Sequence, residues 1–76
     1  MRVEKEFNMT EEEFKKPELF RNRIVNFIVT KYGCRLENAN EAVKSALAYD
    51  WATCYRDGGC VGVQCSLDRT KVYVGL

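Results

Sequence analysis

The chain has 76 residues, a formal net charge of +1 and no histidine. A domain of that length hides only about 60% of the surface its unfolded chain would expose, which leaves no room for a deep cleft with packed support behind it. Near-neutrality predicts no polyanionic partner, and the missing histidine removes the commonest general base, the usual zinc ligand and every Cys-His or Ser-His nucleophile arrangement.

A composition of 46% hydrophobic and 30% charged residues, with a single proline, describes one ordinary folded domain over residues 1–76 and not a disordered tail. The first residues, MRVEKEFNMTEEEF, place no apolar run behind their charges, so they do not read as a signal peptide. Nor do the charges thin out long enough for a membrane span. The expected compartment is the cytoplasm, where the cysteines would be thiols.

Residues 2–8 alternate, with Val3 and Phe7 on one side and Arg2, Glu4 and Glu6 on the other, which predicts a short edge strand guarded by charge. Met9-Thr10-Glu11-Glu12-Glu13-Phe14 predicts a helix start. Thr10 and Glu13 can cap each other's backbone N–H, Met9 can touch Phe14 across the turn, and the glutamates suit the positive end of the helix dipole. The acidic run could also meet a basic partner, but capping accounts for each of its residues. Pro17 would break a helical hydrogen bond anywhere but in a first turn, so this helix should end near Lys16 and a new one start at Pro17.

Residues 17–33 carry the densest apolar surface. Phe20, Ile24, Phe27, Ile28 and Tyr32 fall on one helical face, widened by Val25 and Val29, and Gly33 supplies a left-handed stop. So broad a face needs a second helix and something flat. The second helix is predicted to open at Asn38, or at the competing cap Asn40, and to run to about Arg56. Its inner face is Ala39, Ala42, Val43, Ala46, Leu47, Trp51 and Cys54, with Trp51 filling the space where the helices diverge and Asp57-Gly58-Gly59 as its stop. Beyond the glycines the period becomes two. Val61, Val63, Cys65 and Leu67 point one way, as do Val72, Val74 and Leu76, which predicts a hairpin turning near Leu67-Asp68-Arg69-Thr70. Pairing Val63 with Val74 and Cys65 with Val72 puts both sets on one face.

The predicted fold is α+β: a β-α-α-β-β two-layer domain with two main helices packed on one face of a small, mainly antiparallel sheet that ends in a C-terminal β-hairpin.

Few residues could carry chemistry, and no catalytic residue is assigned. Gly58-Gly59 precedes a strand, so it cannot aim helical N–H groups at a phosphate. Cys34, Cys54, Cys60 and Cys65 are spaced unlike the close pairs that hold structural zinc, so neither a metal nor another cofactor is expected. Cys54 and Cys65 read as core residues, and Cys34 and Cys60 as the thiols open to reaction, which would suit a redox switch. Asp50 falls among apolar positions and needs a donor, with Arg21 or Tyr32 as candidates.

Two surfaces invite a partner. The outward side of the hairpin, Cys60, Gly62, Gln64, Ser66, Tyr73 and Gly75, is nearly free of charge apart from Lys71. With Tyr49, Tyr55 and Arg56 alongside, it could be covered by another protein or by a second copy, or it could be an ordinary solvated face. Lys15, Lys16, Arg21, Arg23, Lys31 and Arg35 could instead bind nucleic acid. Arg23 and Lys31 project in different directions, however, and no aromatic residues interleave to stack bases. The expectation is a non-enzymatic interaction module that binds a larger protein, an inhibitor or accessory factor of the mobile-element type, with nucleic-acid binding as the alternative.

Overall fold

The computed structural model describes residues 5–46, 51–65 and 71–76, of Cys65 only the backbone. It contains β1 (Lys5–Asn8), α1 (Glu11–Lys15), α2 (Pro17–Tyr32), α3 (Leu36–Ala46), β2 (Trp51–Asp57), β3 (Cys60–Cys65) and β4 (Lys71–Gly75). The strands form an antiparallel sheet in the order β1-β2-β3-β4, and the helices pack on one face of it, an α+β arrangement. Among the described residues no helix is long and apolar enough to cross a membrane. The expectations for Arg2, Val3, Glu4, Leu47, Tyr49, Asp50, Ser66 and the turn at 67–70 lie outside the described residues.

The N-terminal half follows its local chemistry. Thr10 Oγ1 accepts from the Glu13 N–H at 3.3 Å while Glu13 Oε1 accepts from the Thr10 N–H at 2.9 Å, a complete capping box. Met9 packs on the core, while Phe14 is 62% exposed. α2 begins at Pro17, where a missing N–H costs nothing, and ends where Gly33 at φ 69° donates its N–H to the Val29 carbonyl. Phe20, Ile24, Val25, Ile28 and Tyr32 are buried, with Phe27 and Val29 packed at the margin. Phe27 stands edge-on to both Phe7 of β1 and Tyr32, at centroid distances of 5.4 and 5.7 Å, and so ties the helix to the sheet.

The second helix departs from expectation at both ends. It starts at Leu36, so Asn38 and Asn40 lie inside it, and Asn38 donates instead to the Gly75 carbonyl of β4 at 3.1 Å. The same carbonyl receives the Cys34 thiol at 3.6 Å. Ala39, Ala42, Val43 and Ala46 are buried as predicted, and their small side chains let the helix approach closely. Residues 51–57, expected as the rest of this helix, form β2. Trp51, Thr53 and Tyr55 favour a pleated strand, and Ala52 and Cys54 alternate with them toward the core. Asp57-Gly58-Gly59-Cys60 is then a tight hairpin turn and not a helix stop. Asp57 pairs with Cys60, and Gly58 holds φ 62°, the left-handed conformation that such turns need at their first central residue.

The β3–β4 ladder is the predicted hairpin with a different register: Val61 pairs with Val74 and Val63 with Val72, two residues from the expected alignment. A two-residue slip keeps Val61, Val63, Val72 and Val74 on one face and Gly62, Gln64 and Tyr73 on the other, so the apolar pattern could not choose between the two.

Ile24 lies at the centre of this core with no exposed surface. Ile24→Ala should cost about 2–5 kcal/mol, most of the stability available to a domain this small, and a urea titration should show a midpoint near zero or no folded baseline.

Candidate functional site

Cross-strand partners share a face, so the register sorts every strand residue. Phe7, Ala52, Cys54, Val61, Val63, Val72 and Val74 face the helices. The opposite face presents Glu6 and Asn8 from β1, Trp51, Thr53, Tyr55 and Asp57 from β2, Cys60, Gly62 and Gln64 from β3, and Lys71, Tyr73 and Gly75 from β4. None of these residues belongs to the core cluster that the helices cover.

The structure brings four of the predicted contact residues together here: Tyr55, Gln64, Lys71 and Tyr73. Tyr55 arrives on a strand and not on the exposed side of a helix, and it is only 2% exposed. Its ring lies across Gly62, where an added Cβ would come within 2.5 Å of the ring carbons, so the glycine provides the trough that the ring occupies. The ring is edge-on to Tyr73 at 6.0 Å, the Lys71 ammonium stands 5.7 Å from its centroid, and its hydroxyl donates to the Tyr73 oxygen at 3.2 Å. Burial, then the bond to Tyr73, pushes the Tyr55 phenol above its ordinary range, which keeps it a donor. Tyr73 is thereby held in place while it remains 47% exposed, with its own O–H left to donate.

Arg56, the other residue expected beside this surface, shares the helix-side face through its pairing with Val61 and folds back to donate to the Gly58 carbonyl at 2.9 Å. Sequence reasoning missed Trp51 and Thr53 because both had been assigned to a helix. Trp51 donates its indole N–H to Glu6 Oε2 at 2.8 Å. Thr53 is 4% exposed, and its hydroxyl has no hydrogen-bond partner among the described residues.

The basic residues of the alternative surface are dispersed. Arg23 is held through Nε and Nη2: it grips Glu13 with two bonds of 2.8 and 3.0 Å, donates to the Asn8 carbonyl at 2.8 Å and stands 5.3 and 5.5 Å from the ring centroids of Phe7 and Phe20. Arg21 is half-buried, while Lys15, Lys16, Lys31 and Arg35 are exposed at the ends of helices. The Arg23 guanidinium holds the Glu13 carboxyl at about 2, well below its ordinary value, with burial opposing.

Of the thiols, Cys54 is buried as expected and burial pushes it up to about 12. Cys34, expected to be reactive, is buried and raised by desolvation; Cys60 is exposed on the outer face. Among the described residues no three His, Cys, Asp or Glu side chains converge where they could hold a metal ion.

No family model, curated protein or solved structure matches this chain. The functional reading therefore stands on geometry and chemistry alone.

Two outcomes test this description. Thr53→Val keeps the shape and removes the unpartnered hydroxyl, so chemical denaturation should show a gain of about 1 kcal/mol, whereas a loss would mean the hydroxyl is satisfied. Glu13→Gln should lower the urea midpoint by a constant amount above pH 4.5, and the gap should close as the pH falls to about 2, because a depressed carboxyl stabilises only while it is ionised.

Proposed function

We propose that this chain is a non-enzymatic interaction module that binds a larger protein through the outer face of its sheet, as an accessory or inhibitory factor acting in the cytoplasm. The observation that carries the reading is the aromatic layer on a sheet face that no described helix covers. Trp51 and Tyr73 sit there with their polar atoms engaged by Glu6 and Tyr55, and Tyr73 stands out from the surface over the buried Tyr55. Rigid aromatic side chains of this kind supply contact area at small entropic cost and are the usual anchors of protein interfaces. Described thiols that are all free agree with a reducing compartment.

Charge favours a protein over nucleic acid as the partner. The described outer face carries Glu6 and Asp57 against Lys71, an excess of acid that repels phosphate, and the charge of Arg23 is already paired with Glu13.

Capture from host extract with wild type and Tyr73→Ala side by side tests the reading. The expected result is a partner that the variant loses and that stays bound from low to moderate salt. Equal recovery by both proteins would remove this surface. A complex that weakens by orders of magnitude over the same salt range would instead point to nucleic acid.

A further inference from the structure

The outer face has a charge pattern that a second copy of the chain would match. One row runs straight across the sheet: Glu6 on β1 pairs with Thr53 on β2, Thr53 with Gln64 on β3, and Gln64 with Lys71 on β4. The row is acidic at one edge, basic at the other and uncharged between. At about 4.8 Å per strand the two charges stand roughly 14 Å apart, too far to pair within one chain.

Two sheets laid face to face can be related by a two-fold axis along the strands or across them. An axis across the strands sets Glu6 on Glu6 and Lys71 on Lys71. An axis along the strands, between β2 and β3, sets each Glu6 against the Lys71 of the other copy and makes two opposite-charge contacts at the rim. The same axis sets Thr53 opposite the second copy's Gln64, so the uncharged middle of one row meets the uncharged middle of the other.

We propose that this face closes on itself in a two-fold dimer with the strands of the two sheets roughly aligned, held in register by the reciprocal Glu6–Lys71 pairs. The proposal rests on the reading of the outer face as a contact surface and names the occupant it takes when no other protein is bound. Four strands of 4, 7, 6 and 5 residues, on average about 18 Å long, give a contact of roughly 350 Å² per copy in projection, well short of the ~800 Å² per partner of a stable complex. The dimer is therefore weak and exchangeable, so a better-fitting protein displaces the second copy.

Sedimentation equilibrium up to about 1 mM protein measures it, a range in which even a contact of about −4 kcal/mol registers. Wild type should dimerise. Glu6→Lys and Lys71→Glu should each weaken the dimer about tenfold, and the double exchange should restore it to within about threefold, because each pair re-forms with its signs reversed. Circular dichroism checks that the variants fold. Should a single variant unfold, the wild-type dimer must still weaken as salt rises from about 0.05 to 0.5 M. A wild type that stays monomeric throughout overturns the second copy while leaving Tyr73-dependent capture of another protein intact. A dimer indifferent to charge reversal and to Tyr73→Ala lies on another surface and also overturns the proposal.

Discussion

One constraint organises this protein: α2 has an apolar face too broad for a single neighbour, and the chain is too short to surround it. Phe20, Ile24 and Ile28 have no exposed surface because α3 covers one flank and the sheet covers the other. Burial of this kind is the main favourable contribution in a small domain, so the helices must share one face of the sheet. Nothing among the described residues remains to cover the second face. The exposed aromatic surface follows from how the core is built.

The outer face solves its lack of cover in its own way. Tyr55 lies flat over Gly62 and beneath Tyr73, which buries one large side chain at the cost of exposing part of another. A glycine in a central strand is normally a weakness, and here it is the space into which the ring fits. Such an arrangement makes a firm surface with hydrogen-bonding atoms at fixed positions and one raised aromatic ring, which suits recognition better than chemistry. On the opposite side the Arg23 hub does mechanical work: it joins α1, α2 and the end of β1 through Glu13, Asn8 and two aromatic rings. A guanidinium so placed is a structural fastener, so Arg23, paired with Glu13, offers a ligand less charge than its place among the basic residues suggests.

Sequence alone determined whatever depends on neighbours a few residues apart. The Thr10–Glu13 box, the restart at Pro17, the Gly33 stop, the buried face of α2, the alanine face of α3 and the two-fold alternation of β3 and β4 were all legible, because capping, backbone restriction and side-chain periodicity are local. The candidate surface was legible in part: Gln64, Lys71 and Tyr73 follow from that alternation.

Tertiary structure decided what residues 51–57 become, and with it the rest of the surface. Asp57-Gly58-Gly59 can end a helix or turn a hairpin, since both use a glycine in the left-handed region, and Trp51, Ala52 and Cys54 fit an apolar face at either period. The choice belongs to β1 and β3, which each need a strand between them to satisfy their backbone groups, a demand visible only once the sheet exists. The same holds for the Arg23 hub and for the hairpin register: contacts distant in the chain, and a slip that preserves every face, leave no trace in local pattern.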